Sequence, residues 1–178
     1  MDIAKISKCG KILEYRKGDA ICVEKEPGET AYMLLSGRAK VFVGGREMAE
    51  LMTGTLFGEM SLLENLPRSA TVLAHSNEVS VLEIGKNDFI DLMKSDNVIA
   101  YNLLRMLYTR VESTIEKYKG YLVKLKADIM KDEKYVIITK LTQEQFGAIV
   151  SRDPKYAVDL LSYLSHTLAK INKKIESI

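Results

Sequence analysis

The chain is poor in the residues that build disulfide frameworks and thiolate metal sites. Among its 178 residues it has two cysteines, Cys9 and Cys22, and they do not form a CxxC pair. Two such thiolates cannot complete an iron–sulfur cluster or a structural zinc site. We therefore expect no metal and no cofactor, and the low cysteine content favours a reducing compartment.

Long apolar runs and a large charge of one sign are also absent. No run of about eighteen apolar residues occurs, and the start MDIAKISKCG lacks the apolar segment of a signal peptide. Lys and Arg total 26 against 24 Asp and Glu, a net charge of +2, which does not indicate a dedicated nucleic-acid binder. We expect a cytoplasmic protein with no membrane partner.

The common signatures of catalysis are missing as well. The sequence contains no GxSxG, HExxH, P-loop or GxGxxG pattern. Its two histidines, His75 and His166, lie far apart in the sequence, and a structural or solvated role suits both. We predict no catalytic residues, so the chain is expected to bind a ligand and not to act as an enzyme.

Short strand-like segments fill the first half of the chain, from about residue 11 to 84. They are rich in Val, Ile, Leu, Tyr and Thr, and glycine or proline turns separate them. The segments are KILEYR, AICVEK, TAYMLL, RAKVFV, EMAELM, SATVLA and EVSVLEI. Many short strands at this spacing predict a β-sandwich or barrel.

From Gly85 onward the apolar residues recur every three or four positions, as in helices. We predict a short helix and then one long helix that continues to Leu125. Its apolar stripe resembles a coiled-coil seam, which predicts a homodimer; alternatively, the stripe lies on the chain's own strands. The stripe consists of Val98, Tyr101, Leu104, Leu107, Val111, Thr114, Tyr118, Tyr121 and Leu125.

The end of the chain resembles an earlier part of it. A shift of 57 residues places EVSVLEIGKNDFIDLMKSDNVIAYNLLRML over YVIITKLTQEQFGAIVSRDPKYAVDLLSYL. This alignment predicts a second strand, short helix and longer helix. Thr142 with Gln145 suggests a capping box, and Asp153-Pro154 suggests the start of the last helix.

The segment that suggests chemistry is residues 57–74, FGEMSLLENLPRSATVLA. Gly58 would let a ligand approach the backbone, and the N–H groups at the helix start that follows would form an anion site. Arg68 can bind two phosphate oxygens at once, and Glu59 can accept hydrogen bonds from a sugar hydroxyl. Alternatively, Glu59 and Arg68 are only an ion pair that closes a surface loop.

This segment resembles the phosphate-binding cassette of the cyclic nucleotide-binding domain family, which includes catabolite activator proteins and kinase regulatory subunits. The similarity includes KGDAICVEKEPGETAYMLLSGRAKVFV before the cassette and VSVLEIGKNDFIDLM after it. It implies a mainly β plus α fold, a jelly-roll-like β-roll followed by a long helix. We assign residues 1–118 to this domain and 119–178 to a C-terminal helical module that resembles a truncated repeat of the domain's end.

Residue by residue, the resemblance implies that Arg68 binds the cyclic phosphate and Glu59 the ribose 2′-hydroxyl. Gly58 and Met60 would contribute backbone groups. Ser69 stands where serine or alanine accompanies cAMP and threonine accompanies cGMP in the family. The expected ligand is therefore cAMP, with cGMP as the second choice.

The resemblance also implies a wall for the ligand and contacts from the long helix. Val41, Phe57 and Val72 match apolar wall positions, although Val41 and Val72 also suit a core. Arg110 and Thr114 match positions that face the ligand and its base in catabolite activator proteins, and Thr114 also suits a polar break in a helical seam. The chain would then be a sensor that transmits ligand binding to the helical module.

A DNA-binding role for the C-terminus is the alternative. Residues 139–164 can be aligned with a helix-turn-helix, which would make the chain a compact regulator of the catabolite-activator type. A recognition helix presents basic or amide side chains at its start, whereas this one has Asp153, Lys155 and Asp159. No hairpin wing follows Leu164 in the sequence pattern, so we expect no DNA binding.

Overall fold

The computed structural model describes residues 9–177 and divides the chain into two compact units, one ending at Ile90 and the other beginning at Asp91. The chain start, on which the signal-peptide prediction rests, lies outside the described residues. None of the helices in the described part of the chain is both long enough and apolar enough to cross a membrane.

Two antiparallel four-stranded sheets form the first unit, with strand orders β1-β8-β3-β6 and β2-β7-β4-β5. All seven predicted strand segments contain a strand, and β6 is an additional one. The strands are β1 (Lys11–Arg16), β2 (Ala20–Cys22), β3 (Thr30–Ser36), β4 (Ala39–Val43), β5 (Arg46–Leu51), β6 (Leu56–Phe57), β7 (Thr71–Ala74) and β8 (Glu78–Gly85).

The core of the first unit follows from the two-residue period of its strands. Alternate residues of β3 and β8, among them Leu34 and Val81, are buried in one cluster, and these two are paired in the β3–β8 register. Side chains of β4 and β7 join the same cluster, including Ala39 and Val72. Residues of both sheets therefore share a single apolar interior.

Seven helices are found in residues 9–177. They are α1 (Glu59–Glu64), α2 (Lys86–Ser95), α3 (Asn97–Lys117), α4 (Val123–Lys131), α5 (Glu133–Lys140), α6 (Gln143–Val150) and α7 (Lys155–Glu176). Within the second unit, α3 packs against α6 and α7, and α5 contacts α7. The capping box of Thr142 and Gln145 is confirmed at the start of α6, and Asp153 accepts a hydrogen bond from Lys155 N at the start of α7.

The prediction of one long helix up to Leu125 is wrong. The helix α3 ends at Lys117, a turn follows, and α4 begins at Val123. Gly120 lies in this turn, and glycine is a poor helix former because ordering its backbone loses the most entropy. After the turn Leu122 is buried again.

The prediction of a second strand at YVIITK is also wrong, because Glu133–Lys140 form α5. A short apolar run does not distinguish a strand from a helix by its composition. Here the run starts after Asp132, whose carboxylate accepts a hydrogen bond from Lys134 N. Tyr135 and Ile138 are then buried three residues apart, which is the helical period. The two helices predicted after this segment are confirmed as α6 and α7.

The middle of the predicted dimer seam is covered by the same chain. Leu104, Leu107 and Val111 are buried in the second unit, where α3 packs against α7. Tyr121, at the end of the stripe, remains 65% exposed. A homodimer stays a prediction.

Candidate functional site

The cassette begins with a sharp turn at Gly58, between β6 and α1. Gly58 has φ 75° and ψ 0°, a left-handed conformation that residues with a side chain rarely adopt. A Cβ at this position would lie 2.6 Å from Arg68 Nη1 and 3.3 Å from the Thr30 carbonyl oxygen. Both the backbone conformation and the lack of space therefore require glycine here.

The guanidinium of Arg68 is almost completely buried, with 6% of the residue exposed. Its Nη1 donates to the carbonyl oxygens of Thr30 at 2.6 Å and Gly58 at 3.0 Å, and to Ser61 Oγ at 2.7 Å. Its Nη2 donates to Thr30 Oγ1 at 3.0 Å. A buried charge is stable only when such polar partners replace water. The burial of Arg68 in the loop before β7 therefore depends on these hydrogen bonds.

The backbone of Arg68 is held as firmly as its side chain. Arg68 N donates to the Glu26 carbonyl oxygen, and Lys25 N donates to the Arg68 carbonyl oxygen, both at 2.8 Å. The Tyr32 ring lies below the guanidinium, with its centroid 5.2 Å from Arg68 Cζ, at a distance suited to a cation–π interaction. Gly28 is so close to the other side of Arg68 that a Cβ there would overlap with it.

The second charged residue of the cassette, Glu59, is 1% exposed and is the first residue of α1. A carboxylate in the first turn of a helix interacts favourably with the helix dipole. Ser61 follows in the same turn and donates from Oγ to the Gly58 carbonyl oxygen at 3.0 Å. One short segment thus buries a carboxylate, a hydroxyl and, nine positions after Glu59, a guanidinium.

The apolar residues predicted for the ligand wall lie together in the same unit. Val41 and Val72 are register partners in β4 and β7. Val72 and Phe57 are buried in the core cluster, and Val41 packs against it half-buried. Phe57 stacks on Tyr32 with ring centroids 5.4 Å apart. These positions fit a core and the rim of a ligand site equally well.

The other two cassette residues differ in exposure. Met60 is buried, whereas Ser69 is exposed and its Oγ is 4.0 Å from Met60 Sδ. Arg110 and Thr114 lie on α3 in the second unit, where Thr114 Oγ1 donates to the Arg110 carbonyl oxygen at 2.7 Å. Their assignment to the ligand stays a prediction, and so do the ligand roles of the cassette residues.

Sequence reasoning missed the residues that hold Arg68. Thr30 lies in the predicted strand segment TAYMLL, and Gly28 lies between two predicted strands. Ser61 lies at the predicted helix start, where only its backbone N–H group was considered. Near this site, burial raises the pKa of the Cys22 thiol, and the Arg68 charge acts in the opposite direction. Of these residues, Ser61 is the one that lies within the cassette, residues 57–74, and could have been found from its position there.

Beside the cassette lies an open cleft of about 510 Å³ that does not include Glu59 or Arg68. Thr30 is common to this cleft and to the contacts of Arg68, and Lys86 Nζ donates to Asn65 Oδ1 at 2.8 Å at its edge. Over residues 9–177, no three His, Cys, Asp or Glu side chains are grouped as metal ligands would be.

The sequence matches the cyclic nucleotide-binding domain family over residues 12–96. Residues 12–96 belong to this family. The segment around Arg68 lies within this matched region, and the phosphate-binding role of its residues stays a prediction. The match ends at residue 96, so the assignment of residues up to 118 to the domain stays a prediction.

Relatives of the domain are found in larger regulatory proteins. A cAMP-dependent protein kinase regulatory subunit of Hypocrea atroviridis is 35% identical over 114 residues, 64% of this chain and 24% of that protein. A cGMP-dependent protein kinase of Toxoplasma gondii is 34% identical over 130 residues, 71% of this chain and 13% of that protein. The chain thus spans a quarter or less of the length of these relatives.

The fold is similar to that of a solved bacterial regulator. The crystal structure of the Thermus thermophilus catabolite activator protein matches 94% of this chain and 82% of its own, with a TM-score of 0.57 and 22% identity. The predicted fold class, antiparallel sheets followed by helices, is confirmed by this likeness and by the two sheets described above.

Proposed function

We propose that this chain binds a 3′,5′-cyclic mononucleotide at the cassette and acts as a ligand sensor. The observation that supports this most is the buried Arg68, which α1, the turn at Gly58 and the start of β3 hold in place, in the same segment as the buried Glu59. A surface ion pair would not need four hydrogen bonds inside the protein. We also propose that the ligand is bound and not turned over.

Among cyclic nucleotides we propose cAMP before cGMP. Ser69 is exposed at the cassette, where the family resemblance associates serine with cAMP. The two relatives named above are described as cAMP-dependent and cGMP-dependent proteins, so they support both ligands. A direct test is the variant Ser69→Thr, which should increase the affinity for cGMP relative to cAMP. An unchanged ratio would exclude Ser69 from base selection.

Thermal unfolding in the presence of ligand would test binding itself. At about one hundred times the dissociation constant, a ligand of the native state stabilises it by about 2.7 kcal/mol. For a chain of this length that is a rise in Tm of several degrees. No rise with millimolar cAMP, cGMP or another cyclic mononucleotide would exclude the proposal.

The matched variants for this test are Arg68→Ala and Arg38→Ala. Arg68→Ala removes the charge partner of the phosphate and should abolish the ligand-induced rise in Tm. Arg38 is an exposed arginine of the same unit that pairs with Glu50 at 3.3 Å, so Arg38→Ala should keep the full rise. If the Arg68→Ala protein binds as tightly as the parent, the phosphate lies elsewhere.

We further propose that the ligand signal reaches the helical unit through Arg110 and Thr114 on α3. Coupling of about 1–3 kcal/mol between two sites is enough for regulation of this kind. Thr114→Val should leave the helix intact, because the hydroxyl only donates to a carbonyl oxygen within α3. It should reduce the ligand-induced protection of α3 amides in hydrogen exchange. Equal protection in both proteins would contradict this route.

A homodimer remains part of the proposal, but its interface needs different residues from Leu104, Leu107 and Val111. Apolar side chains that stay exposed in the helical unit include Tyr121 and Val123. Sedimentation of the parent with and without cAMP would establish the association state. The double variant Tyr121→Glu and Val123→Glu should give monomers if the dimer uses the end of the stripe.

The competing function is DNA binding by residues 139–164, and we propose that it is absent. In a winged helix-turn-helix regulator the chain would leave the helix near Leu164. Here α7 continues past Leu164 to Glu176. In its first turns Lys155 and Asp159 are exposed, and Asp153 precedes them. A carboxylate at such positions opposes phosphate.

Selection from a random duplex library with saturating cAMP tests this. Regulators bind their sites at about 10⁻⁸ to 10⁻¹¹ M with a steep dependence on salt. We expect only weak association at physiological salt. Enrichment of a palindromic sequence bound at nanomolar strength would instead establish a transcription factor.

A further inference from the structure

We propose that the hydroxyls of Thr30 and Ser61 are positioning residues that turn Arg68 so that one edge of its guanidinium, Nε and Nη2, faces the ligand. The inference rests on the proposed function, because it concerns the same phosphate site. It adds two residues of this chain that do not themselves contact the nucleotide.

The hydrogen-bond donors of Arg68 divide into two groups. A guanidinium has five N–H donors, one on Nε and two on each Nη. Nη1 faces three acceptors, Thr30 O, Gly58 O and Ser61 Oγ, so the protein uses both of its hydrogens. Nη2 makes one bond, to Thr30 Oγ1, and across residues 9–177 no bond of Arg68 uses Nε. One hydrogen on Nη2 and the hydrogen on Nε are left for a ligand.

Thr30 fixes the plane of the guanidinium because it binds both terminal nitrogens. Its carbonyl oxygen accepts from Nη1 at 2.6 Å and its hydroxyl accepts from Nη2 at 3.0 Å. Thr30 is the first residue of β3 and is paired with Gly85 of β8, so the sheet holds both acceptors in place. Two bonds from one anchored residue resist rotation about the bond between Nε and Cζ.

Ser61 acts only as an acceptor towards Arg68. A serine hydroxyl has a single hydrogen, and Ser61 donates it to Gly58 O at 3.0 Å. Its lone pairs are therefore directed at Nη1, 2.7 Å away. Ser61 is 2% exposed, so bulk solvent does not reach this hydroxyl.

Residue 28, a glycine, lies next to the Nε side of the guanidinium. A Cβ at Gly28 would overlap with Nε, Cζ and Cδ of Arg68. Gly28 does not have the left-handed backbone conformation that requires glycine, so the requirement here is for space. A larger residue at position 28 would therefore block Nε from a ligand.

The consequence is a pair of nearly parallel donors, the geometry that binds two oxygens of a phosphate group. If either hydroxyl is lost, the guanidinium gains freedom and its free edge is no longer fixed towards the ligand. A hydrogen bond to a charged group is worth about a tenfold change in affinity. We expect each loss to weaken cyclic nucleotide binding by about that factor.

The first experiment needs no ligand. Hydrogen-bonded Nη groups rotate slowly, so side-chain NMR of the parent should show separate, slowly exchanging Nη signals for Arg68, assigned by their absence in Arg68→Lys. Thr30→Val, which keeps the shape but lacks the hydroxyl, should average these signals, and Thr30→Ser should restore them. Averaged signals already in the parent, or unchanged signals in Thr30→Val, would overturn the inference whether or not a cyclic nucleotide binds.

The second experiment is calorimetric titration with cAMP. Thr30→Val and Ser61→Ala should bind about tenfold more weakly than the parent, and Thr30→Ser should bind within about threefold of it. If the parent binds and Thr30→Val binds equally well, the positioning role is wrong and the proposed function stands. If the parent binds neither cAMP nor cGMP nor another cyclic mononucleotide, the proposed function is wrong.

A double-mutant cycle separates positioning from direct contact with the nucleotide. When Thr30 acts through Arg68, the Thr30→Val effect on affinity disappears in an Arg68→Lys background, because residues in one network are not additive. A full effect in that background would mean that Thr30 touches the ligand itself and would overturn the inference. If Arg68→Lys binds too weakly to titrate, the NMR result decides.

Discussion

The two units of the chain bury different kinds of polar side chain. In the first unit Glu59, Ser61 and Arg68 are buried within one short segment, and two of them carry charge. In the helical unit the buried polar groups found in residues 9–177 are hydroxyls, those of Ser165, Thr167 and Tyr135. Burying charge is expensive, so its concentration at the cassette indicates a binding site, whereas the helical unit is built by apolar packing.

Substitutions should therefore damage the two units in different ways. In the helical unit the strongest changes should be losses of packing that unfold it. In the first unit the strongest changes at the cassette should move Arg68 and alter ligand binding with a smaller loss of stability.

The largest effect is expected for Val111→Glu on α3. Val111 is fully buried where α3 packs against α7, so the carboxylate would enter an apolar interior. An unpaired buried charge belongs to the most destabilising class of substitutions, and we expect a loss of about 4 kcal/mol or more. Circular dichroism during thermal unfolding measures this as lost helical signal at a lower temperature.

The control for this prediction is Val136→Glu on α5, where 37% of the residue is exposed. It should change the free energy of unfolding by about 0.5 kcal/mol or less. A Val111→Glu protein that is as stable as the parent but has become monomeric would place this residue in a dimer interface. That result would restore the seam predicted from the sequence.

A smaller effect is expected for Gly58→Ala in the cassette. Alanine at φ 75° is strained by about 1–2 kcal/mol, and its Cβ would also press on Arg68 Nη1. Overpacking of this kind adds about 1–3 kcal/mol. The protein should still fold, but the guanidinium should be displaced and cyclic nucleotide binding lost.

Gly54→Ala is the matched control, because Gly54 has φ 87° and nothing lies within 4 Å of its Cβ position. It should show the backbone strain alone and should bind ligand like the parent. Chemical denaturation gives both stabilities, and titration gives both affinities. Equal losses of stability and affinity in the two variants would mean that the contact with Arg68 has no consequence.

The comparison also explains which parts of the molecule could be predicted from the sequence. The strands were predictable because buried and exposed residues alternate within segments bounded by turn residues, and the cassette because Gly58, Glu59 and Arg68 are close in sequence. Thr30 is 38 positions from Arg68, and no local pattern links the two. Their contact depends on how β3 meets the loop before β7.

The errors in the helical unit have a similar cause. The apolar residues from Val98 to Leu125 keep one helical period. The chain nevertheless turns at residues 118–122, where Gly120 lies, and α7 packs against α3. The segment YVIITK has strand-like composition, but Asp132 caps a helix there. In both places the apolar pattern alone did not determine the structure, and the helix that packs against each segment lies elsewhere in the sequence.

The smallest effect is expected at alkaline pH in the helical unit, at Tyr163 of α7. Burial raises the pKa of Tyr163 to about 12, and Asp132 acts in the same direction. An unfolded tyrosine has a pKa of about 10, so between about pH 10 and 12 the folded state keeps a proton that the unfolded state loses. The free energy of unfolding therefore falls as pH rises through this window.

Tyr163→Phe has no such proton, and its stability should fall less steeply than that of the parent in denaturant titrations at pH 10, 11 and 12. Tyr121→Phe, at an exposed position, is the matched control. Burial also raises the pKa of Tyr135, so part of the decrease of stability with pH should remain in every variant. A Tyr163→Phe slope equal to that of the parent would show that the Tyr163 hydroxyl does not contribute to the pH dependence of the helical unit.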